Sequence, residues 1–104
     1  MAYTSKIVGD VKGRCYRCGK EGPTERHHIF AGPNRKLSQK YGLTVYLCHA
    51  CHNEPPHGAH FNKETAAWLH RIGQRAFEKS QNKNGMEWDE ARAEFVRIFG
   101  KNYL

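Results

Sequence analysis

Apolar residues are scarce in this chain: they make up 38% of its 104 residues, against about 45–50% in ordinary soluble domains by a count that also includes Gly. The hydrophobic core must be small, so something besides apolar burial has to help hold the fold. Long apolar runs are missing as well. The longest uncharged apolar stretch, as in Leu43-Thr44-Val45-Tyr46-Leu47-Cys48, is only a few residues long, far short of the roughly 20 that span a bilayer. The N-terminal Met1-Ala2-Tyr3-Thr4-Ser5-Lys6 has no apolar core, so no secretory signal is expected, and the chain is read as cytoplasmic, where cysteines stay reduced. Acidic residues are also few: Asp and Glu number 10 against 17 Lys and Arg, giving a net charge of +7. That surplus favours a polyanionic partner, nucleic acid above an acidic protein or a membrane surface. No repeat, low-complexity tract or linker interrupts residues 1–104, which are expected to form one domain.

What the chain does have is four cysteines in two identical pairs, Cys15-x-x-Cys18 and Cys48-x-x-Cys51. Each C-x-x-C turn offers two thiolates to one ion, so the doubled spacing points to a tetrahedral structural Zn²⁺ rather than disulfides. Gly19 follows the first pair and suits a tight turn, since Gly accepts positive φ. A structural zinc contributes on the order of 10 kcal/mol to folding, enough to offset a thin core.

Residues 1–13 read as a short strand or an irregular lead-in. Thr24–Phe30 reads as a first strand, ended by the breakers Ala31-Gly32-Pro33-Asn34. Leu37 to Tyr41 allows one helical turn, and Leu43–Leu47, β-branched and aromatic, reads as a second strand. Pro55-Pro56 excludes regular structure. Asn62 is a good N-cap for a helix running to about Ser80, with Trp68, Leu69, Ile72 and Ala76 at helical spacing. Asn82-Lys83-Asn84-Gly85 reads as a loop. A last helix is expected from about Glu87 to Phe99, with Trp88, Ala91, Phe95 and Ile98 as its packing stripe and Gly100 as its stop.

Six of seven histidines fall between His27 and His60, inside or just beyond the span the cysteines bracket. His70 stands apart and reads as a surface helix residue. The adjacent pair His27-His28 lies on the expected first strand, where neighbours point to opposite faces. Cys51-His52 places an imidazole within one residue of the zinc site, and His57 and His60 follow the Pro55-Pro56 break. His49 reads as solvent-exposed.

With His27-His28-Ile29, Leu47-Cys48-His49-Ala50-Cys51-His52-Asn53 and Cys15-Tyr16-Arg17-Cys18-Gly19, the chain resembles the HNH nucleases over about residues 15–62. The runs His28-Ile29-Phe30-Ala31-Gly32 and Tyr41-Gly42-Leu43 make it similar to small HNH proteins of phages and prophages. The resemblance implies an α+β fold: a small zinc-stabilised ββα-metal, treble-clef-like domain with two additional C-terminal helices over 63–104. It implies a metal-dependent DNA endonuclease, a hydrolase leaving 5′-phosphate and 3′-hydroxyl ends. His28 would be the general base, and His27, His52 and His60 would hold a catalytic divalent ion, with His57 the rival to His60. Three imidazoles suit Mn²⁺, Ni²⁺ or Zn²⁺ better than Mg²⁺. The family's middle Asn has no counterpart near Gly42 and Leu43. By the same resemblance the host is a prokaryotic or phage-infected cell, and a homodimer or a phage protein partner is left open.

Arg35, Lys36 and Lys40 cluster after the His pair as candidate DNA contacts, while Arg71, Arg75 and Lys79 serve equally well as a solvated helix face. The reading from another class is a non-catalytic zinc-knuckle DNA-binding module in which the histidines are structural.

Overall fold

The computed structural model describes residues 5–104 and is an α+β arrangement with a two-stranded sheet and four helices. Strands β1 (Glu25–His28) and β2 (Thr44–Leu47) are antiparallel, with Glu25 opposite Leu47 and His28 opposite Thr44. Opposed residues share a face, so Glu25 and His27 stand with Leu47 and Val45, while Arg26 and His28 stand with Tyr46 and Thr44. Between the strands the chain makes a 3₁₀ turn (Gly32–Asn34) and helix α1 (Arg35–Lys40). Buried Ser38 pins this crossover to the end of β1: its hydroxyl accepts from Phe30 N at 2.9 Å and donates to Phe30 O at 2.7 Å.

Helix α2 (His49–Asn53) follows β2 directly, and α3 (Lys63–Lys83) and α4 (Trp88–Phe99) complete the chain. The side chain of Asn62 accepts from Thr65 N at 2.9 Å, as an N-cap should. Glu87 and Glu90 form a reciprocal capping box at the start of α4. Helices α3 and α4 pack together, and their apolar stripes meet the residues leaving β1. The result is an aromatic core in which Phe30 lies 4.8 Å from Phe99 and 5.4 Å from Phe95, ring centre to ring centre. Buried Gln74 secures the C-terminal residues: its amide donates to Asn102 and Glu78, and its carbonyl accepts from Tyr103 N at 2.7 Å.

Of the two readings of residues 1–13, residues 5–13 follow the irregular lead-in, with turns and no strand, and residues 1–4 lie outside the described residues. Several other expectations change at this level. Helix α2 has no periodic signal because its five residues are held by cysteine placement rather than by an apolar stripe. Helix α3 runs to Lys83, into the expected loop. Trp88 is 55% exposed, because the first turn of α4 extends past the aromatic core to polar neighbours such as Glu78 and Arg92. His70 is half-buried, stacked on Phe30 at 5.2 Å, so it belongs to the core margin.

Gly73 on α3 marks the closest approach to the strand end. A Cβ there would lie 2.9 Å from Ile29 Cγ2 and from Phe30 Cε2. Gly73→Ala gains about 1 kcal/mol of helix propensity but overpacks a rigid contact at a cost of about 1–3 kcal/mol. The expected outcome is a net loss of stability in urea unfolding, with no change in secondary structure by circular dichroism.

Candidate metal centres and nucleic-acid face

Two segments distant in sequence bring the four cysteines together. The first is a tight turn: Cys15 N donates to Lys20 O, Gly19 N donates to Cys15 O, and Arg14 bridges Glu21. Gly19 has φ +78°, the left-handed conformation that the turn needs. The second is the start of α2, where Cys48 caps the helix and Cys51 follows three residues on, so the two sulfurs share one face. Tyr16 N donates to Tyr46 O at 2.8 Å and ties the turn to β2.

The four Sγ atoms lie within 4.8 Å of one another and none is in a disulfide. A tetrahedron with metal–sulfur bonds of about 2.3 Å has edges of about 3.8 Å, and Cys18 Sγ stands 3.8 Å from Cys48 Sγ. The cluster therefore fits a structural zinc ion in number, type and spacing of donors. Two of the thiols are shifted in opposite directions. Burial works to raise the Cys15 thiol, but the amides of Cys18, Cys48 and Arg17 outweigh it and bring it down to about 6. Burial pushes the Cys51 thiol up to about 12, although the Arg17 guanidinium 3.7 Å away opposes this.

A second cluster sits beside the first, because Cys51 and His52 are consecutive. His27, His52 and His60 each offer a ring nitrogen, and these atoms lie within 4.8 Å of one another. His27 comes from β1, His52 from α2, and His60 from the segment that returns after Pro55-Pro56. That return is fixed by backbone bonds from Ala59 N to Cys51 O at 2.8 Å and from His60 N to His52 O at 3.3 Å. Gly58 makes it sterically feasible, since a Cβ at that position would lie 2.5 Å from Glu54 O. His57 is exposed and stands outside the cluster.

The ring nitrogens are arranged for a cation. His52 Nδ1 donates to Glu25 Oε1 at 2.8 Å, since a carboxylate can only accept. His52 Nε2 then faces His60 Nε2 at 3.1 Å. This is the pattern in which an outer carboxylate fixes the tautomer of a metal-binding imidazole. His27 is buried and its Nδ1 has no hydrogen-bond partner among the described residues. Burial, reinforced by His52 and His60, lowers its pKa to about 3, so it is neutral and able to donate a lone pair. Glu25 is held below the ordinary carboxylate range by its bonds from His52 and then His49. Exposed His49 also reaches Glu54 at 3.4 Å, an arrangement the sequence alone did not suggest.

His28 leaves this cluster. Strand alternation sends it to the other face of β1, where its Nε2 is 3.4 Å from Gln39 Oε1. Arg35, Lys36 and Lys40 are all exposed on or beside α1, and none forms an ion pair among the described residues. They make a cationic surface near the end of β1. No helix of the described residues is long and apolar enough to cross a membrane.

Residues 13–101 match the family described as Recombination protein O C terminal. Searches of curated proteins and of solved structures found no significant match. The family match overturns the resemblance to HNH nucleases, and with it the phage ascription, the endonuclease activity, the hydrolase class and the general-base role of His28. The physical reason lies in what the motifs encode. Paired C-x-x-C turns and nearby histidines specify metal ligation, which serves many folds and functions alike. They cover 15–62, whereas the family match continues through α3 and α4.

Removing the metal tests the sulfur cluster directly. Chelation of purified protein at neutral pH is expected to release one zinc per four cysteines and to unfold the chain, read by circular dichroism. Retention of native ellipticity in fully zinc-free protein would show that the cluster is dispensable.

Proposed function

The chain belongs to the Recombination protein O C terminal family, and from that premise we propose that it is a non-catalytic, zinc-knuckle DNA-binding module of a recombination protein. Recombination acts on DNA, and the family match over residues 13–101 is the observation that carries the reading. The net charge of +7 supports it. In this proposal residues 1–104 act as one module in the reducing cytoplasm. The Cys15, Cys18, Cys48 and Cys51 zinc fixes the β1–β2 frame, and Arg35, Lys36 and Lys40 contact phosphates. Contacts to phosphate carry no base information, so binding has little sequence preference.

His27, His52 and His60 are proposed to hold a second divalent ion with a structural role, cross-linking β1, α2 and the segment before α3. The orphaned His27 Nδ1 and the facing Nε2 atoms of His52 and His60 support it. Three imidazoles favour Zn²⁺, Ni²⁺ or Mn²⁺ over Mg²⁺. His60→Ala removes one ligand from an exposed position and is expected to abolish this ion's binding while leaving the cysteine-bound zinc, measured as metal per chain.

The functional reading is tested by fluorescence anisotropy with labelled duplex DNA across a salt series. Affinity should fall as salt rises, and Arg35→Glu with Lys36→Glu should weaken it and reduce the log–log slope by about 0.9 for each phosphate no longer neutralised. Supercoiled plasmid incubated with the protein and Mg²⁺, Mn²⁺, Ni²⁺ or Zn²⁺ should stay intact. Undiminished affinity in the double variant would remove α1 from the interface, and cleavage that co-purifies with the folded chain would sink the non-catalytic reading.

A further inference from the structure

The second half of α3 borders a groove of about 380 Å³, closed on its other side by the loop around Ile7. Four cations line it, Lys6, Arg75, Lys79 and Lys83, and no acidic residue does. Arg75, Lys79 and Lys83 are spaced four apart on one helix face, where like charges repel. None of the four forms an ion pair among the described residues. The floor between them is apolar, built from Ile7, Ile72 and Ala76, and Val8 at its edge is 81% exposed. An occupant that satisfies this groove carries several carboxylates around one large apolar side chain. A nucleic acid would neutralise the cations but leave the aliphatic floor uncovered. The one aromatic ring in the lining, Tyr16, is already packed against Trp68 at 5.7 Å.

The chain itself presents such a segment. At the first turn of α4, Trp88 is 55% exposed between Glu87, Asp89 and Glu90. The reciprocal Glu87–Glu90 capping box fixes the backbone of this turn, so the tryptophan is offered from a rigid base at little entropic cost. Trp88 lines a hollow with Glu78 and Arg92. Glu78 points about 100° around the helix from Lys79, so the turn and the groove occupy different sides of α3 and one chain does not fill its own groove.

We propose that the groove beside α3 receives the Glu87-Trp88-Asp89-Glu90 turn of a second copy of this chain. Trp88 covers the floor of Ile7, Ile72 and Ala76, and the three carboxylates set three negative charges against the four cations at the rim. The contact joins two different surfaces. It either closes reciprocally between two copies or extends head to tail, and in both cases each contact needs one intact groove and one intact turn. The proposal goes beyond the DNA-binding reading and stands without it.

Sedimentation velocity of the zinc-loaded protein without DNA tests it. The weight-average mass of the wild type should rise with concentration at low ionic strength and fall back as salt is added. Trp88→Ala, and separately Lys79→Glu with Lys83→Glu, should each weaken association about tenfold or more, as loss of a buried tryptophan anchor or its charged rim does. All the substituted residues are exposed, and circular dichroism with zinc content confirms that the variants fold. Mixing the two variants restores one good groove and one good turn and should yield a one-to-one complex. A wild type that stays monomeric, variants that associate like the wild type, or a mixture that does not pair would each overturn the proposal. A monomeric wild type that nonetheless binds a synthetic Glu-Trp-Asp-Glu peptide would assign the groove to an acidic segment of another protein and likewise end the second-copy assignment.

Discussion

Four thiols gathered within 4.8 Å of one another cannot all shed their protons without a cation between them. The rest of the structure is arranged around that constraint. One pair of sulfurs comes from the turn before β1 and the other from the start of α2, so closing the cluster brackets the whole β1–α1–β2 segment. A two-stranded sheet with strands of four residues is marginal by itself in water. Here its register is held at both ends, by the sulfur cluster at the Leu47 side and by Ser38 and the aromatic core at the Phe30 side.

Division of labour between the two halves follows. The N-terminal half buries small aliphatic residues such as Ile29, Leu43, Val45 and Leu47 and adds donor atoms gathered where a cation can sit. The C-terminal half uses ordinary packing, with Phe95 and Phe99 stacked on each other and each in ring contact with both Phe30 and Phe77. Phe30 belongs to both, since it ends the sheet segment and anchors the aromatic cluster. Glu25 performs a similar joining role in polar form, receiving bonds from His49, His52 and Asn53 and so fastening α2 to β1.

Much of this was legible in the sequence because it is written in local chemistry. The cysteine spacing, the Asn62 cap, the Glu87–Phe99 helix and the two strands each follow from a few neighbouring residues. What was not legible depends on distant partners or on a missing one. Helix α2 has no apolar period to announce it. Trp88 fits the stripe of α4, and only the extent of the core decides that it stays outside. His57 and His60 are indistinguishable by spacing, and the backbone return onto His52 separates them. The family assignment fell outside the motifs for a related reason. Metal ligands report which ions a site can take and say nothing about the reaction, if any, performed beside it, whereas the family likeness is spread over 13–101.

Cys51 and His52 are consecutive on one short helix, so the two clusters are mechanically linked. A tilt of α2 that displaces a sulfur of the first cluster displaces an imidazole of the second along with it. Glu25 on β1 resists that tilt by accepting from His49, His52 and Asn53. The spacing of the histidine nitrogens is thus a gauge of how α2 is seated, and a disturbance of either cluster is felt at the other.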